Sequence, residues 1–305
     1  MSIKNYKAAA ALAIFCTLLW GTAFPFIKVG YAQFGIEGND IGSKLLFAGA
    51  RFTLAGIMVL LIFLVKNKRL PKIEKSGIMP VMLLGSVQTF GQYIFTYIGI
   101  GFTSGANTSV ITACATFFTV LFAPLFFKSD KLNVCKIIGC ILGFCGVLCV
   151  NSGGGVTADT LFGDFMILMS TLSAAAGNFI SKGIVRDREP ISVTGFQLSF
   201  GGILLLIAGF IAGGKLNFSS IKALLVLFWL AFVSAAAFAI WTALLKHHPA
   251  SRICVFNLLV PVFGTLLSGI MLGESVFGIE MIASVVLICA GIFISNMQIK
   301  KRCER

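Results

Sequence analysis

Ten long apolar runs, separated by short polar punctuation, constrain this chain more than any other feature. They fall roughly at 8–33, 44–65, 77–98, 104–127, 133–151, 161–182, 192–213, 223–245, 250–272 and 276–297. A bilayer core about 30 Å thick needs about 20 apolar residues per helix, and these runs have that length without the alternation of strands. Lipid also requires every backbone group to be bonded internally, which helices achieve. Charged residues make up only 11% of the chain, against roughly a quarter in a soluble domain. The connections are mostly about 4–12 residues, too short for a nucleotide-binding or catalytic domain. The expected fold class is therefore an all-α integral membrane protein with ten transmembrane helices.

A net charge of +13 raises nucleic acid as a partner, but the positions of the charges exclude it. Basic residues sit between the apolar runs, and none builds a long basic face. Counted by side, one set of loops with both termini holds 19 Lys and Arg, and the other holds three, Lys44, Lys215 and Lys222. Lys28 and Arg51 fall inside runs. Cytoplasmic loops carry such an excess, so both termini are expected in the cytoplasm of a multi-pass protein of the cell membrane, with an even helix count. Cys16, Cys114, Cys140, Cys145, Cys149, Cys254 and Cys289 lie inside runs, where free Cys behaves as a small hydrophobe. No C-x-x-C pair occurs and the two histidines, His247 and His248, are adjacent, so no metal site, disulfide framework or cofactor is expected. The first run exceeds a signal-peptide core of about 7–15 residues and is read as a retained helix.

An internal repeat is visible. Residues 116–146 align with 261–291 at a constant offset of 145, with Phe118 on Phe263, Leu121 on Leu266 and Gly146 on Gly291. Ala50-Arg51-Phe52-Thr53-Leu54-Ala55-Gly56-Ile57 falls on Phe196-Gln197-Leu198-Ser199-Phe200-Gly201-Gly202-Ile203, and Phe26-Ile27-Lys28 on Ile180-Ser181-Lys182. Each half, 1–152 and 153–305, then holds five helices. Five is odd, so the halves enter the membrane from opposite sides as inverted repeats, an arrangement associated with alternating access.

Polar groups inside a bilayer are costly and mark functional candidates. Lys28 and Arg51 lie in the outer halves of their helices; they either attract a carboxylate or phosphate, or snorkel to the interface. Trp20, Phe24 and Lys28 share one face at i, i+4 and i+8. Gln88 and Gln92 share a face of the third helix beside Tyr93 and Tyr97. Asn107, Asn178, Gln197, Trp241 and Asn257 complete the candidate substrate-binding set. The same groups also suit interhelical hydrogen bonding, and that alternative stays open. Pro25, Pro80, Pro124 and Pro261 lie inside runs and can kink them. Gly139-x-x-x-Gly143, Gly209-x-x-x-Gly213 and Gly269-x-x-x-Gly273 allow close helix approach without requiring a homodimer, which stays open. The chain has no G-x-x-x-x-G-K-[ST], H-E-x-x-H or G-x-S-x-G, and no acid near a helix centre. ATP-driven transport and familiar intramembrane hydrolysis are therefore not expected.

Several segments resemble EamA-type members of the drug/metabolite transporter superfamily, over nearly the whole chain. Leu19-Trp20-Gly21-Thr22-Ala23-Phe24 is similar to the family's W-G-x-x-F start, followed by basic Lys28. Arg51-Phe52 opens the second helix. Pro261-Val262-Phe263 through Leu272-Gly273-Glu274 is similar to its proline-to-glutamate stretch, and Ala290-Gly291-Ile292 closes the tenth helix. The first-half copy departs, with Thr116 where proline is usual and Ser129-Asp130 where glutamate is usual. The resemblance implies ten helices, cytoplasmic termini and transport of small organic metabolites. The expected function is a secondary transporter, an exporter by alternating access. The alternatives are an uncoupled facilitator or exchanger, an intramembrane lipid-modifying enzyme, or a channel.

Overall fold

Among the described residues the chain is helical and contains no strand. The computed structural model describes residues 3–100, 102–103, 105–150, 158–218, 220–272 and 279–297. The helices are α1 (Tyr6–Phe34), α2 (Ile41–Asn67), α3 (Lys75–Leu84), α4 (Gln92–Ile100), α5 (Gly105–Phe126), α6 (Val134–Val150), α7 (Ala158–Val185), α8 (Pro190–Ile211), α9 (Ile221–His247), α10 (Ala250–Cys254), α11 (Leu259–Leu272) and α12 (Ile279–Asn296). A π-helical segment, Gly85–Gly91, joins α3 to α4, and a 3-10 turn, Val255–Leu258, joins α10 to α11. Each expected apolar run is thus met by helix, and the third and ninth change pitch along their length.

Local chemistry sets the ends. Asn5 accepts from the Lys7 amide at the start of α1, and Gly35 closes it with φ 67°. Asp40 accepts from the Ser43 amide ahead of α2, and Glu189 from the Ser192 amide ahead of α8. Each carboxylate satisfies a donor that the helix leaves orphaned. Pro25, Pro80 and Pro124 lie inside helices as expected.

Among the described residues, six stretches are long and apolar enough to cross a membrane: Tyr6–Phe34, Ile41–Asn67, Lys75–Ile100, Pro190–Ile211, Ile221–His247 and Ala250–Met271. Three shorter apolar helices, Ile111–Phe126, Val134–Cys149 and Ile282–Asn296, accompany them. Large exposed side chains such as Leu61, Leu125, Phe210 and Phe293 give the bundle the apolar exterior that lipid favours. The protein is a multi-pass membrane protein.

Helix pairing follows small residues. α2 runs antiparallel to α8, with Gly49 against Gly202 and Leu206, and Gly56 against Gly195 and Ser199. A Cβ at Gly49 would lie 2.6 Å from the Leu206 amide nitrogen and 2.9 Å from the Gly202 oxygen, so backbone touches backbone there. α6 crosses α12 in the same sense, with Gly139 against Gly291 and Ser295, and Gly146 against Ser284 and Ile288. Of the expected glycine pairs, Gly139 and Gly143 do pack closely and Gly209 meets Leu46 of α2. Gly213 instead lies beyond the end of α8, with φ 75° and nothing near it. Gly273 lies outside the described residues. α1 lies between α9 and α11, as α7 lies between α4 and α5.

Polar contacts tie each end of the bundle. At one end, Lys182 Nζ donates to the Leu245 carbonyl at 2.9 Å, Lys246 Nζ to that of Arg188 at 2.8 Å, and a His248 ring nitrogen lies 2.9 Å from the Ile3 carbonyl. Asp130, between α5 and α6, pairs with Lys136 at 2.7 Å and accepts from the Ser251 amide at 3.0 Å and from its hydroxyl. At the other end, the Lys215 amide donates to Ser43 Oγ at 2.8 Å, and Thr103 donates to Asp164. The N-terminus and the basic connections after α2, α5, α7 and α9 thus gather at one end. A recess of about 360 Å³ opens at that end, lined in part by Asp130, Lys131, Lys136 and Arg252.

Candidate functional site

A chain of aromatic rings crosses the interior. Tyr97 and Tyr93 of α4 lie 6.4 Å apart between centroids, and Tyr93 tilts over Phe52 of α2 at 4.4 Å. Phe52 meets Phe238 of α9 at 6.3 Å, Phe238 meets Trp20 of α1 at 5.5 Å, and Trp20 meets Trp241 at 5.0 Å. Edge-on contacts at these spacings suit ring quadrupoles. Trp241 Nε1 then donates to Asn178 Oδ1 of α7 at 3.3 Å. Helices before residue 152 and helices after it both contribute to this belt.

Arg51 packs on the Phe52 ring, partway along the belt. It is 2% exposed. Its Nε donates to Ser234 Oγ at 2.9 Å, and its Cζ lies 4.9 Å from the Phe52 ring centroid. Ser234 is the fourteenth of the 27 residues of α9, so the guanidinium reaches the middle of that helix. Ser234 in turn donates to the Leu230 carbonyl at 3.0 Å. Tyr31, Tyr93 and Tyr97 lie within electrostatic reach of the Arg51 charge. This arrangement can hold an anion on a cation while apolar atoms lie against rings.

The structure joins Trp20, Arg51, Tyr93, Asn178 and Trp241 and places the other candidates elsewhere. Phe24 lies against Gly264 of α11 and is 45% exposed. Lys28 is exposed, about one turn beyond Phe24 along α1. Gln88, within the π segment, packs on Gly177 of α7, and Gln92 is half-buried. Gln197 accepts from Thr89 at 2.9 Å, and its Nε2 is buried without a partner. Asn257 sits in the 3-10 turn, its Oδ1 buried and unbonded. The Asn107 side chain lies outside the described residues. Sequence reasoning missed Ser234, whose signal is a hydroxyl opening the small-residue stretch Ser234-Ala235-Ala236-Ala237 of α9. It also passed over Tyr31 as the outer neighbour of Arg51.

The pattern of the EamA-like transporter family matches residues 7–152 and 161–297. The chain belongs to the EamA-like transporter family. This EamA-like chain is similar to "Uncharacterized transporter YoaV" of Bacillus subtilis (strain 168), 27% identical over 293 residues covering 94% of this chain and 96% of that one. It is also similar to "Probable amino-acid metabolite efflux pump" of Salmonella typhimurium (strain LT2), 29% identical over 299 residues covering 93% of each. A solved structure described only as "Crystal structure of protein" superposes with a TM-score of 0.80 at 18% identity, over 95% of this chain and 98% of that one. That likeness bears on the fold alone.

Proposed function

We infer that this EamA-like protein is a secondary carrier that moves small organic metabolites out of the cytoplasm by alternating access. The observation that carries the reading is the aromatic belt with Arg51 packed on its Phe52 ring at the middle of α9, a belt built by helices of both halves. A solute held there rests on the joint about which two repeats would rock. In this reading ten helices cross the cell membrane as two inverted five-helix repeats, residues 1–152 and 153–305, with both termini in the cytoplasm.

Three features support it. Exchanging the halves turns the α1–α9 and α1–α11 contacts into the α7–α4 and α7–α5 contacts, and both sets occur. The alignment of Gly56 on Gly202 swaps the Gly49–Gly202 and Gly56–Gly195 pairs, as a two-fold axis through an antiparallel seam requires. The basic connections gather at one end, as cytoplasmic loops do. The Salmonella relative's name, a probable amino-acid metabolite efflux pump, supports export and an amino-acid-like cargo. Asp130, the buried acid among the described residues, sits at one end of the bundle and is already paired. That placement favours uncoupled exchange as the second reading.

The test is a metabolite-wide comparison of cells lacking and overproducing the protein, repeated with purified protein in proteoliposomes. Overproduction should deplete a set of small organic solutes inside and enrich them outside, and the purified protein should move the same compounds. No difference in either setting contradicts the reading.

A further inference from the structure

Three cations are buried among the described residues: Lys44, Arg51 and Lys136. Two of them end on strong acceptors. Lys44 Nζ donates to the Gly38 carbonyl and feels the charge of Asp40. Lys136 Nζ holds the Asp130 carboxylate and the Lys131 carbonyl, each at 2.7 Å. Half-buried Lys182 likewise ends on the Leu245 and His248 carbonyls. Arg51 differs: its single hydrogen bond goes to a serine hydroxyl, and its other neighbours are aromatic. A guanidinium has five donors in a planar fork. A buried charge left without a counter-charge is costly, more so at membrane depth.

A second observation lies along the same belt. Trp20 Nε1 is buried with no partner, while its ring touches both Phe238 and Trp241. The guanidinium fork, nearby phenol hydroxyls and an unused indole N–H are all donors. The Phe52 and Phe238 rings link Arg51 to Trp20. That chemistry is complementary to a carboxylate on a small apolar body: guanidinium meets carboxylate in a bidentate, charge-assisted pair, and the body lies on aromatic faces.

Resting on the carrier reading above, we propose that Arg51 is the carboxylate anchor of the transport site, so that the cargo is a small organic carboxylate with an apolar side group, and that its free α-amine is not what the site selects. Tyr31, against which Lys44 also lies at 5.7 Å from the ring centroid, places a second buried cation seven residues outward on the same helix.

The test uses the full chain in proteoliposomes with four labelled probes of one body size: leucine, leucinamide, 4-methylpentanoate and 3-methylbutylamine. The parent should move leucine and 4-methylpentanoate at least tenfold faster than the amide or the amine. Arg51→Gln should cut carboxylate flux more than tenfold at matched abundance, and Arg51→Lys should recover part of it. Because Arg51→Gln could misfold, the acid-against-amide ratio of the parent alone also decides. A parent that moves leucinamide as fast as leucine, or an Arg51→Gln variant that moves leucine like the parent, overturns the anchor. A parent that moves none of the four but carries other solutes in the metabolite screen overturns the anchor and leaves the carrier reading standing. A parent inactive toward every solute overturns both.

Discussion

Asp130 and Lys136 form a pair whose side chains are 0% and 9% exposed, and the same carboxylate caps the start of α10 through the Ser251 amide. One side chain from the connection after α5 therefore holds a helix 120 residues further on. Removing one partner of a buried pair strands the other charge, at a typical cost of about 3–5 kcal/mol. Asp130→Ala should lower the thermal unfolding midpoint in detergent below that of Ser251→Ala, which loses one hydroxyl bond to a carboxylate, typically worth about 1.5–3 kcal/mol. Equal midpoints would mean that the pair contributes little. At the other end, the Asp40 carboxylate is held below its ordinary value by hydrogen bonds from Ser43. A depressed carboxyl contributes stability above its unfolded value near about pH 4 and loses it as pH falls through the folded value. The midpoint gap between the parent and Asp40→Ala should therefore be full at about pH 6 and narrow progressively as pH falls below about 4; a gap unchanged by acidification contradicts this. In the sequence, position inside an apolar run was enough to mark Arg51 and Trp241 as candidates. Their partners were not legible, because Ser234 and Asn178 come from helices whose angular setting only tertiary packing fixes.

At the scale of elements, the seam between α2 and α8 carries the clearest steric demand. Gly49 and Gly56, seven residues apart, face Gly202 and Gly195, also seven apart, so the small residues stay on one line along both helices. Gly49→Ala places a methyl group against the Leu206 and Gly202 backbone, where overpacking costs about 1–3 kcal/mol. Gly183 of α7 has nothing within 4 Å of an added Cβ, so Gly183→Ala should be neutral or stabilising by up to about 1 kcal/mol. Thermal unfolding of the two variants should differ in sign from the parent; a Gly49→Ala midpoint at or above the parent's would contradict the seam. Four-residue glycine spacing located the Gly139–Gly143 contact of α6 but passed over this seven-residue ladder. The π segment at Gly85–Gly91 was also invisible, because apolar periodicity says where a helix runs and little about its pitch. The 3-10 turn at Val255–Leu258 escaped for the same reason.

For the whole molecule, class and rough span limits were legible because lipid imposes length and apolarity on every helix it surrounds. The repeat is an expectation of order and spacing, carried by Gly146 on Gly291 and Gly56 on Gly202. The pairing of α1 with α9 and of α7 with α4 was not legible, since contacts between repeats leave no local pattern in either. Topology can be checked by cysteine-accessibility labelling of single-cysteine variants. Positions 37–40 and 215–218 should react from outside and 66–75 and 186–189 from the cytoplasm, whereas termini on opposite faces would overturn the ten-span reading. The central claim is that a solute site built by both halves is exposed to one side at a time. Solute counterflow tests this most directly, with proteoliposomes preloaded with unlabelled cargo from the metabolite screen and diluted into a trace of labelled cargo. A carrier should accumulate label transiently above its equilibrium level before the overshoot decays. Monotonic filling to equilibrium, with no overshoot and no acceleration by internal cargo, would mark a channel and contradict the account.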